Sequence, residues 1–588
     1  MKNRLLIIVL TAAMMLPLTG SARAATALSL PPVQQLSATT PVYDPMAGIK
    51  MGISGLFERT ISGTNRTAKL YVPKAANLGA YMVVLNVPEG EQTVSWLVES
   101  GWIGLAEKNK FLLYVFEPGA SGQWRSPDEE RSYLETAYAN ISVNSPDGRG
   151  TWYLPPESYY VVGYDRPGTV LQQIVMKDPT LVAAATFVNA SDIDSAFLSQ
   201  LHSTFYPTPD WNGQRVASSS VPLPVWIMED RLDARASGVV RYWKDANQTE
   251  ARSAGFHGGR IFHQRNGALK YYVADGSLSA VAVAEKVKNE KRLTTSIYDD
   301  FLSRYTRYGG NVGGNTLGWR PHYDKLGVQF RTMELAGRLR EYMVYVPAKA
   351  RQAARQGKNV PAVISLHGSG LTMYSMFDFS RWWEVADDEG FILVVPTGLN
   401  TQNRTGWGTT ADHVDMTFLQ LLLDEVKTDY NVDPGRIYLG GQSNGSMTTI
   451  AAGKNLGLSR NFAALGATSG GQTSSTTDYT GETLPFFVLF GEFDFWPADL
   501  STPYVGETMR YWINRNDAIG TPTTPASVQR VGRYDISSWK NADGTTVARY
   551  GVTRGRGHST IADEARVLWD WYSRWHKDAQ GNNVQQPR

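Results

Sequence analysis

The clearest indication of the fold is the segment Tyr438–Met447, which reads YLGGQSNGSM. Its apolar start predicts a buried strand, and the apolar run from Met447 to Ala452 predicts a helix. Between them lies Gly441-x-Ser443-x-Gly445. A strand that passes into a helix over so few residues packs backbone against backbone, so a Cβ at either glycine position would clash. We therefore expect Ser443 to stand clear of the sheet, beside the free N–H groups that begin the helix.

A serine on a tight strand-to-helix turn is typical of the nucleophile elbow of α/β-hydrolases, in which an acid and then a histidine follow along the chain. The hydroxyl needs a base, because a serine is a poor nucleophile until its proton is removed. Two histidines follow Ser443. His558 lies in a glycine-rich loop ahead of a predicted helix, 562–575, and is the predicted base. His576 ends that helix and is predicted to be a capping cation.

The acid that orients the base is predicted to be Asp494. It follows the predicted strand Phe486–Phe490 at the carboxyl edge of the sheet, where the sites of open α/β sheets gather. Glu492 and Asp499 are rival acids nearby, and Glu492 is predicted to cap the turn instead.

Two backbone N–H groups are expected to stabilise the oxyanion that forms when an ester carbonyl is attacked. One is the N–H of Asn444, directly after the serine. The other comes from the glycine-rich loop after the strand ending at Leu366, where Ser369 is the first choice and Gly368 the second. His367 in this loop is predicted to be a structural histidine.

No metal or other cofactor is predicted. His413 stands close to Asp412 and Asp415, which could indicate metal ligands. These residues precede a predicted helix, 414–429, so capping of its N-terminus by Asp412 is the preferred interpretation.

The N-terminus reads as an export signal. Lys2 and Arg4 precede an apolar run from Leu5 to Leu18, and Ala22-Arg23-Ala24 resembles a signal-peptidase site, so residues 1–24 are predicted to be removed. An uncleaved membrane anchor is the alternative. The chain contains no cysteine, which excludes disulfides and thiolate chemistry. A secreted or periplasmic location is expected.

Charge is nearly balanced: 57 basic and 55 acidic side chains, of which the signal holds three basic ones. Because no long basic run is present, we expect neither nucleic acid nor, after signal cleavage, a membrane as a partner. The oligomeric state is left open.

The two halves of the chain share a pattern, which predicts two tandem α/β domains with mostly parallel sheets. Leu70-Tyr71-Val72-Pro73 matches Val344-Tyr345-Val346-Pro347, and Arg241-Tyr242-Trp243 matches Arg510-Tyr511-Trp512. The predicted divisions are a mobile lead-in at 25–50, a first domain at 51–289, a connector at 290–326 with a glycine-rich stretch at 309–315, and a second domain at 327–588.

The first domain is predicted to be catalytically degenerate. Asp165 stands where the second half has Ser443, Pro167 replaces the second glycine, and the segment Val273–Ser277 is interpreted as the place of the missing histidine. Asp233 matches Asp494, but an acid alone activates nothing. This domain could cap, brace or help to bind substrate for the second.

Residues 327–576 resemble extracellular polyhydroxybutyrate depolymerases and feruloyl or acetylxylan esterases. The resemblance rests on Leu366-His367-Gly368, on Asp433-Pro434-x-Arg436 before the elbow, on the elbow itself and on Gly557-His558. It implies that Ser443, Asp494 and His558 form the triad of a carboxylic ester hydrolase. Two departures stand out: Ser369 replaces a cysteine frequent in the family, and Ser559-Thr560-Ile561 replaces Thr-Trp-Pro, which alters the wall beside the base.

The expected function is a secreted serine esterase acting on a polyester oligomer, a feruloyl ester or an acetyl ester, with a polymeric substrate possible. A secreted serine peptidase and a non-catalytic binding protein are the alternatives. Residues predicted to border the substrate are Trp382, Trp407, Trp496 and Arg404. Burial of the tryptophans in the core is the competing interpretation.

Overall fold

The computed structural model describes residues 32–36, 46–141, 159–206, 216–265, 279–285, 290–308, 317–398, 405–471 and 481–586. Several predictions made above lie outside these ranges: the export signal, most of the lead-in, the segment Val273–Ser277, the glycine-rich stretch at 309–315 and Arg404.

The first half forms an eleven-stranded sheet that is parallel at its centre and antiparallel towards its edges, except that the edge strand Gln34–Gln35 pairs parallel with its neighbour. In order across the sheet the strands are Gln34–Gln35, Gly55–Thr60, Thr67–Val72, Leu112–Phe116, Met82–Asn86, Tyr159–Tyr164, Val182–Val188, Val225–Glu229, Ala280–Glu285, Gly259–His263 and Ala254–Phe256.

The second half forms a ten-stranded sheet. Its strands are, in order, Gln329–Leu335, Arg338–Tyr345, Ile392–Pro396, Val360–Leu366, Val432–Gln442, Ala464–Thr468, Phe486–Gly491, Thr546–Thr553, Tyr534–Lys540 and Ser527–Val531. Apart from Gln34–Gln35, the order of strands along the chain and across the sheet is the same in both halves. The predicted fold class, two tandem α/β domains, is confirmed.

Helices cover both sheets. The α-helices of the first half are Thr93–Glu99, Trp102–Asn109, Pro127–Ala139, Asp165–Lys177, Ser195–Gln200 and Ala234–Ala246, with 3₁₀ turns at Pro179–Leu181 and Ser218–Ser220. Those of the second half are Ala348–Arg355, Met373–Ser380, Trp382–Glu389, Val414–Asp429, Asn444–Lys454, Leu456–Ser459, Pro503–Arg515 and Ala562–Tyr572. In the parts of the chain that the structure describes, none of the helices has the length and apolarity to cross a bilayer.

The predicted connector contains the α-helix Glu290–Thr295, a π-helical turn at Ser296–Phe301, a 3₁₀ turn at Leu302–Arg304 and the short helix Tyr323–Leu326. Three two-stranded ribbons complete the fold: Tyr305–Thr306 with Gly318–Trp319, Phe205–Tyr206 with Val216–Ala217, and Trp575–Lys577 with Asn583–Gln585. The domain boundaries proposed above remain predictions.

Burial explains why the central strands read as continuous apolar runs. Every residue of Val182–Val188 and of Phe486–Gly491 is buried, because helices cover both faces of a parallel sheet. The edge strand Gln329–Leu335 instead alternates between exposed and half-buried residues over most of its length. The core therefore lies on both sides of each sheet, and the loops at the strand ends are the places where polar catalytic side chains can lie.

In each half a buried asparagine directly after a helix joins that helix to the sheet. The helices are Ala234–Ala246 and Pro503–Arg515. Asn247 donates to the carbonyls of Leu223 and Trp243, both at 2.8 Å. Asn516 donates in the same way to Leu484, at 2.9 Å, and to Trp512, at 2.8 Å. A buried amide with paired donors is stabilising, whereas one without partners is costly.

The halves meet at a buried carboxylate. Asp378 of the second half accepts hydrogen bonds from Tyr81 of the first half, at 2.8 Å, and from Tyr323 of the connector, at 2.7 Å. Arg320 approaches the same carboxylate at 3.8 Å. Burial raises the pKa of Asp378 to about 6, against the lowering effects of Arg320 and the two hydroxyls.

The described strands add two observations on the predicted degenerate site. The strand of the first half that pairs with Val225–Glu229, as Thr546–Thr553 pairs with Phe486–Gly491, is Ala280–Glu285. The segment equivalent to the His558 loop therefore follows residue 285, and Val273–Ser277 precedes that strand. Residues 286–291 contain no histidine either. The small residue that packs on Gly163 is Gly168, since an added Cβ at Gly168 would lie 2.5 Å from the Gly163 carbonyl carbon.

Candidate active site

The predicted elbow is present. The strand Val432–Gln442 passes directly into the helix Asn444–Lys454, and Ser443 joins them with φ 53° and ψ −116°. This is a strained conformation for a residue with a side chain. The N–H of Ser443 donates to the carbonyl of Thr468 at 2.9 Å, which ties the turn to the neighbouring strand.

The two glycines of the elbow have the predicted steric role. A Cβ on Gly441 would lie 2.5 Å from the backbone of Gly445. A Cβ on Gly445 would lie 2.4 Å from the carbonyl oxygen of Leu366. Real Cβ atoms do not approach backbone so closely, so alanine at either position would push the serine turn away from the sheet.

The structure brings Ser443, His558 and Asp494 into one hydrogen-bonded line. His558 Nε2 lies 2.9 Å from Ser443 Oγ, and His558 Nδ1 lies 2.8 Å from Asp494 Oδ1. An ionised carboxylate only accepts, so Nδ1 carries the proton and donates to Asp494. Nε2 is then free to accept the proton of the Ser443 hydroxyl.

Asp494 is kept ionised although it is 2% exposed. Burial by itself would raise the pKa of this carboxyl group, but the hydrogen bond from His558 and the nearby Arg556 charge help to bring it below its usual value. The carboxylate therefore stays charged at neutral pH and can stabilise a positive imidazolium.

The loop that carries His558 is held from below by Arg556, a residue that the sequence analysis missed. Arg556 is fully buried and donates to the carbonyls of Gly557, at 3.0 Å, and of Ser559. Its Nε lies 2.7 Å from a carboxylate oxygen of Glu564, which is also buried. The guanidinium thus holds the backbone on both sides of the histidine, and a loop whose glycines suggested flexibility is fixed.

The rival acids lie elsewhere. Glu492 accepts from the N–H of Gly555 at 2.9 Å, and Asp499 accepts from the N–H of Ser501 at 2.8 Å. Glu492 therefore fastens the turn after its strand to the histidine loop, which agrees with a structural role.

The structural role predicted for His367 is confirmed. Its Nε2 accepts from the N–H of Gly398 at 2.9 Å, so Nδ1 is protonated and donates to the carbonyl of Gly368 at 2.7 Å. Burial lowers the pKa of His367 to about 4, which keeps the ring neutral. In a trans peptide the C=O and the following N–H point in opposite directions. Fixing the Gly368 carbonyl therefore aims the N–H of Ser369 away from His367.

The other predicted oxyanion donor, the N–H of Asn444, is fixed by the side chain of the same residue. Asn444 accepts from the N–H of Trp407 at 2.6 Å and donates to the Trp407 carbonyl at 3.1 Å. The Trp407 indole in turn donates to the carbonyl of His367 at 3.0 Å. Trp407 thus joins the start of the elbow helix to the loop of Ser369. As the first helical residue, Asn444 has an N–H without an intrahelical acceptor.

Two of the predicted substrate-binding residues, Trp382 and Trp407, are buried. Trp382 is 4% exposed and stacks on Tyr572 in the core, because its helix packs against the C-terminal helix. Trp407 is equally buried and supports the loops described above. Trp496 does border the site, with its ring centroid 5.2 Å from that of His558.

Two other histidines differ from prediction. His413, not Asp412, caps the helix Val414–Asp429, since its Nδ1 accepts from the N–H of Asp415 at 3.1 Å. Asp415 is buried and pairs with Arg340 at 2.8 Å. The last long helix ends at Tyr572, so His576 lies in the short strand Trp575–Lys577 and caps nothing.

Phe495 was also missed. It follows Asp494 directly, is 46% exposed, and places its ring centroid 3.8 Å from that of His558. A single phenylalanine in a loop gives no signal in the sequence. Its position beside a predicted acid was the available clue.

The fold and this arrangement of serine, acid and histidine at the strand ends are those of the α/β-hydrolases. No protein-family model matches the chain. It is 25% identical over 292 residues to a bifunctional acetylxylan esterase/xylanase of Neocallimastix patriciarum, covering 46% of this chain and 39% of the relative. It is 25% identical over 239 residues to poly(3-hydroxyalkanoate) depolymerase C of Paucimonas lemoignei, covering 35% and 56%.

A third relative is feruloyl esterase B of Neurospora crassa, 34% identical over 95 residues, with 15% of this chain and 32% of the relative covered. The chain spans less than two thirds of the length of each of these relatives. The resemblance predicted from the motifs is confirmed, and the relatives support a carboxylic ester hydrolase.

Solved structures that align include an acetyl xylan esterase from Aspergillus awamori, at 15% identity and a TM-score of 0.33, covering 42% of this chain and 99% of the other. An S-formylglutathione hydrolase from Agrobacterium tumefaciens aligns at 16% identity and a TM-score of 0.29, covering 42% and 93%.

Proposed function

We propose that the protein is a serine esterase that hydrolyses carboxylic esters through an acyl-enzyme on Ser443. The observation that carries the proposal is the line from Ser443 Oγ through the His558 imidazole to Asp494, with hydrogen bonds of 2.9 and 2.8 Å. It joins a nucleophile, a base and an orienting carboxylate in one geometry.

In the acylation step Ser443 Oγ attacks the ester carbonyl carbon while His558 Nε2 takes the hydroxyl proton. The carbonyl oxygen becomes an oxyanion, which accepts hydrogen bonds from the N–H groups of Asn444 and Ser369, with Gly368 as the alternative to Ser369. Each such donor contributes on the order of 10²–10³ in turnover. The carbon–oxygen bond to the alcohol then breaks, and His558 gives its proton to the departing oxygen.

In the deacylation step a water molecule attacks the acyl-enzyme and passes a proton to His558. The bond to Ser443 Oγ breaks, the carboxylic acid leaves, and the proton returns to the serine. Asp494 stabilises the imidazolium in both steps and holds the tautomer that accepts at Nε2. No metal or other cofactor enters either step.

The relatives are named for acetylxylan, feruloyl and poly(3-hydroxyalkanoate) chemistry. We propose that the substrate of this chain is an ester of the same kind: an acetyl ester, a feruloyl ester or a polyester oligomer, in a polymer or released from one. We also propose that the protein is exported to the periplasm or beyond the cell, which the signal-like residues 1–24 support.

The test is hydrolysis of a panel by the purified mature protein and by its Ser443→Ala variant. The panel holds methyl ferulate, acetylated xylan, hydroxybutyrate oligomers and a peptide anilide. We expect turnover of at least one ester and loss of that turnover in the variant, with an unchanged circular dichroism spectrum. Hydrolysis of the anilide alone would favour a peptidase, and undiminished ester hydrolysis by Ser443→Ala would refute the assignment.

A further inference from the structure

Phe495 belongs to an aromatic cluster on one side of the catalytic line. Its ring lies 4.5 Å from that of Trp496, and Trp496 stacks on Tyr504 at 4.9 Å. Phe495 is 46% exposed, whereas Trp496 is half-buried behind it. Exposed apolar surface is unfavourable at about 25 cal/mol per Å². An exposed ring that is backed by two half-buried rings beside a reactive site indicates a surface that another molecule covers.

The cluster is held rigidly. Asp494 Oδ1 accepts from the N–H of Trp496 at 3.3 Å, so Phe495 sits in a tight turn closed by the carboxylate that orients His558. On the other side Tyr504 Oη accepts from the N–H of Gly471 at 2.8 Å. One end of the cluster is therefore placed by the carboxylate that also orients the base, the other end is held by a backbone N–H, and little ordering is left for a ligand to impose.

The sheet order decides which part of a substrate meets these rings. The strand Val360–Leu366, which precedes the Ser369 loop, lies on one side of the elbow strand Val432–Gln442. The strand Phe486–Gly491, which precedes Phe495, lies on the other side, two strands away. The oxyanion donors and the aromatic cluster therefore flank the serine from opposite directions.

The proton transfer by His558 also indicates which part of the substrate lies near the aromatic cluster. His558 Nε2 gives the proton to the oxygen of the departing alcohol, so that oxygen must come within hydrogen-bond distance of Nε2. The group attached to it then continues past the imidazole ring. Phe495 lies against that ring, with centroids 3.8 Å apart.

We propose that Phe495, backed by Trp496 and Tyr504, is the binding site for the alcohol portion of the ester, and that it selects alcohols with an apolar ring or chain. The proposal rests on the proposed esterase function and adds the substrate class on the leaving-group side. Phe495 is a specificity-determining residue, while the acyl group is bound elsewhere.

The experiment compares acetates that share one acyl group, so that the acyl-enzyme and its hydrolysis are identical. Ethyl acetate and cyclohexylmethyl acetate are both esters of primary alkyl alcohols. We expect Phe495→Ala to lower kcat/KM for cyclohexylmethyl acetate about tenfold more than for ethyl acetate, the loss of one well-packed apolar contact. Phe495→Leu, which keeps an apolar side chain against His558, should show a smaller difference.

Phe330→Ala is the matched control. Phe330 is also 46% exposed, but it packs on Tyr323 and Tyr374 near the junction of the two halves. We expect this variant to leave the ratio of the two kcat/KM values unchanged. Thermal unfolding of all variants checks that the fold is retained.

Equal losses for both acetates would mean that Phe495 acts only by supporting His558, and would overturn the proposal. A selective loss with methyl cyclohexylacetate relative to methyl acetate would place the rings on the acyl side and would also overturn it. If the wild-type protein hydrolyses no ester and a fluorophosphonate fails to label it, the esterase assignment falls and this proposal falls with it.

Discussion

The two halves of the molecule contain the same turn with different chemistry. Asp165 directly follows the strand Tyr159–Tyr164 and has φ 55°, and Ser443 directly follows the strand Val432–Gln442 and has φ 53°. Both halves therefore keep a left-handed conformation that costs roughly 1–3 kcal/mol at a residue with a side chain. The fold retains this strained turn even where no serine stands on it.

The strand register shows what the aspartate does there. Leu85 pairs with Val162 as Ser365 pairs with Gly440, so Glu89 holds the position of Ser369. The carboxylate of Asp165 accepts from the N–H of Glu89 at 3.1 Å. In the first half the side chain at the nucleophile position thus engages the N–H that, in the second half, we propose binds the oxyanion. In the first half, the carboxylate of Asp165 therefore occupies the N–H group at the position of the proposed oxyanion donor.

A supporting contact is retained in both halves. The Trp124 indole donates to the carbonyl of Val87 at 2.9 Å, and the Trp407 indole donates to that of His367 at 3.0 Å. By the same register Val87 and His367 are equivalent. The scaffold of the loop is therefore shared, and the difference lies in the groups that carry chemistry. A contact that both halves retain supports the fold, whereas a contact that only the second half has belongs to its chemistry.

The largest expected effect on kcat distinguishes Asp494 from Asp233, its equivalent in the first half. Asp494→Asn should lower kcat about 10⁴-fold, because an amide cannot hold His558 in the required tautomer. Asp233, the equivalent residue, only caps the helix Ala234–Ala246, accepting from the N–H of Ala236 at 2.9 Å. Asp233→Asn should therefore leave kcat unchanged, since asparagine also caps helices well. Steady-state kinetics on one ester measures both, and a large loss in Asp233→Asn would show that the first half takes part in catalysis.

The next effect concerns how the halves are joined. The pKa of Asp378 is about 6 in the folded protein, above the value of about 3.9 for an unfolded chain. The folded state therefore holds an extra proton between these values, so its stability should fall as the pH rises from about 4 to about 6. The change attributable to this group is about 3 kcal/mol.

Unfolding by urea across this pH range, compared with Asp378→Asn, measures the contribution, because the variant lacks the titrating group. Tyr81→Phe sharpens the test. It removes a hydroxyl of the first half that lowers the pKa of Asp378, so the window should move to higher pH. If the wild type and Asp378→Asn show the same pH dependence, the carboxylate does not titrate as described.

The smallest effect uses the paired tryptophans. Trp407→Phe and Trp124→Phe each remove one buried hydrogen bond, and each should cost roughly 1 kcal/mol of unfolding free energy. Only Trp407→Phe should lower kcat, by about tenfold, because it loosens the loop that carries Ser369. Equal losses of kcat in both variants would contradict the view that the first half supplies scaffold alone.

Much of the site could be predicted because its signals are local. The elbow needs glycines at fixed spacing, and the chain order of serine, acid and histidine then leaves few candidates for the partners of Ser443. The fold class followed from alternating apolar strands and helices in both halves. These features depend on short stretches of sequence and on steric rules that hold in any context.

The rest depends on contacts between distant segments. Arg556 lies in the glycine-rich loop of His558, yet it is buried, because it pairs with Glu564 on the following helix and donates to carbonyls of its own loop. Trp382 was expected at the cleft, yet Tyr572, far along the chain, draws it into the core. His413 caps its helix, although the neighbouring Asp412 is of the residue type that is preferred at this position. Tertiary packing decides such cases, and a single sequence does not reveal it.

We predict that only the second half carries a competent serine nucleophile. The most direct test is to treat the mature protein with a fluorophosphonate and to locate the adduct by intact mass and peptide mapping. We predict one adduct per chain, on Ser443, with esterase activity lost in proportion to labelling and with no adduct in Ser443→Ala. An adduct in the first half, or ester hydrolysis that persists when Ser443 is fully labelled, would contradict the account.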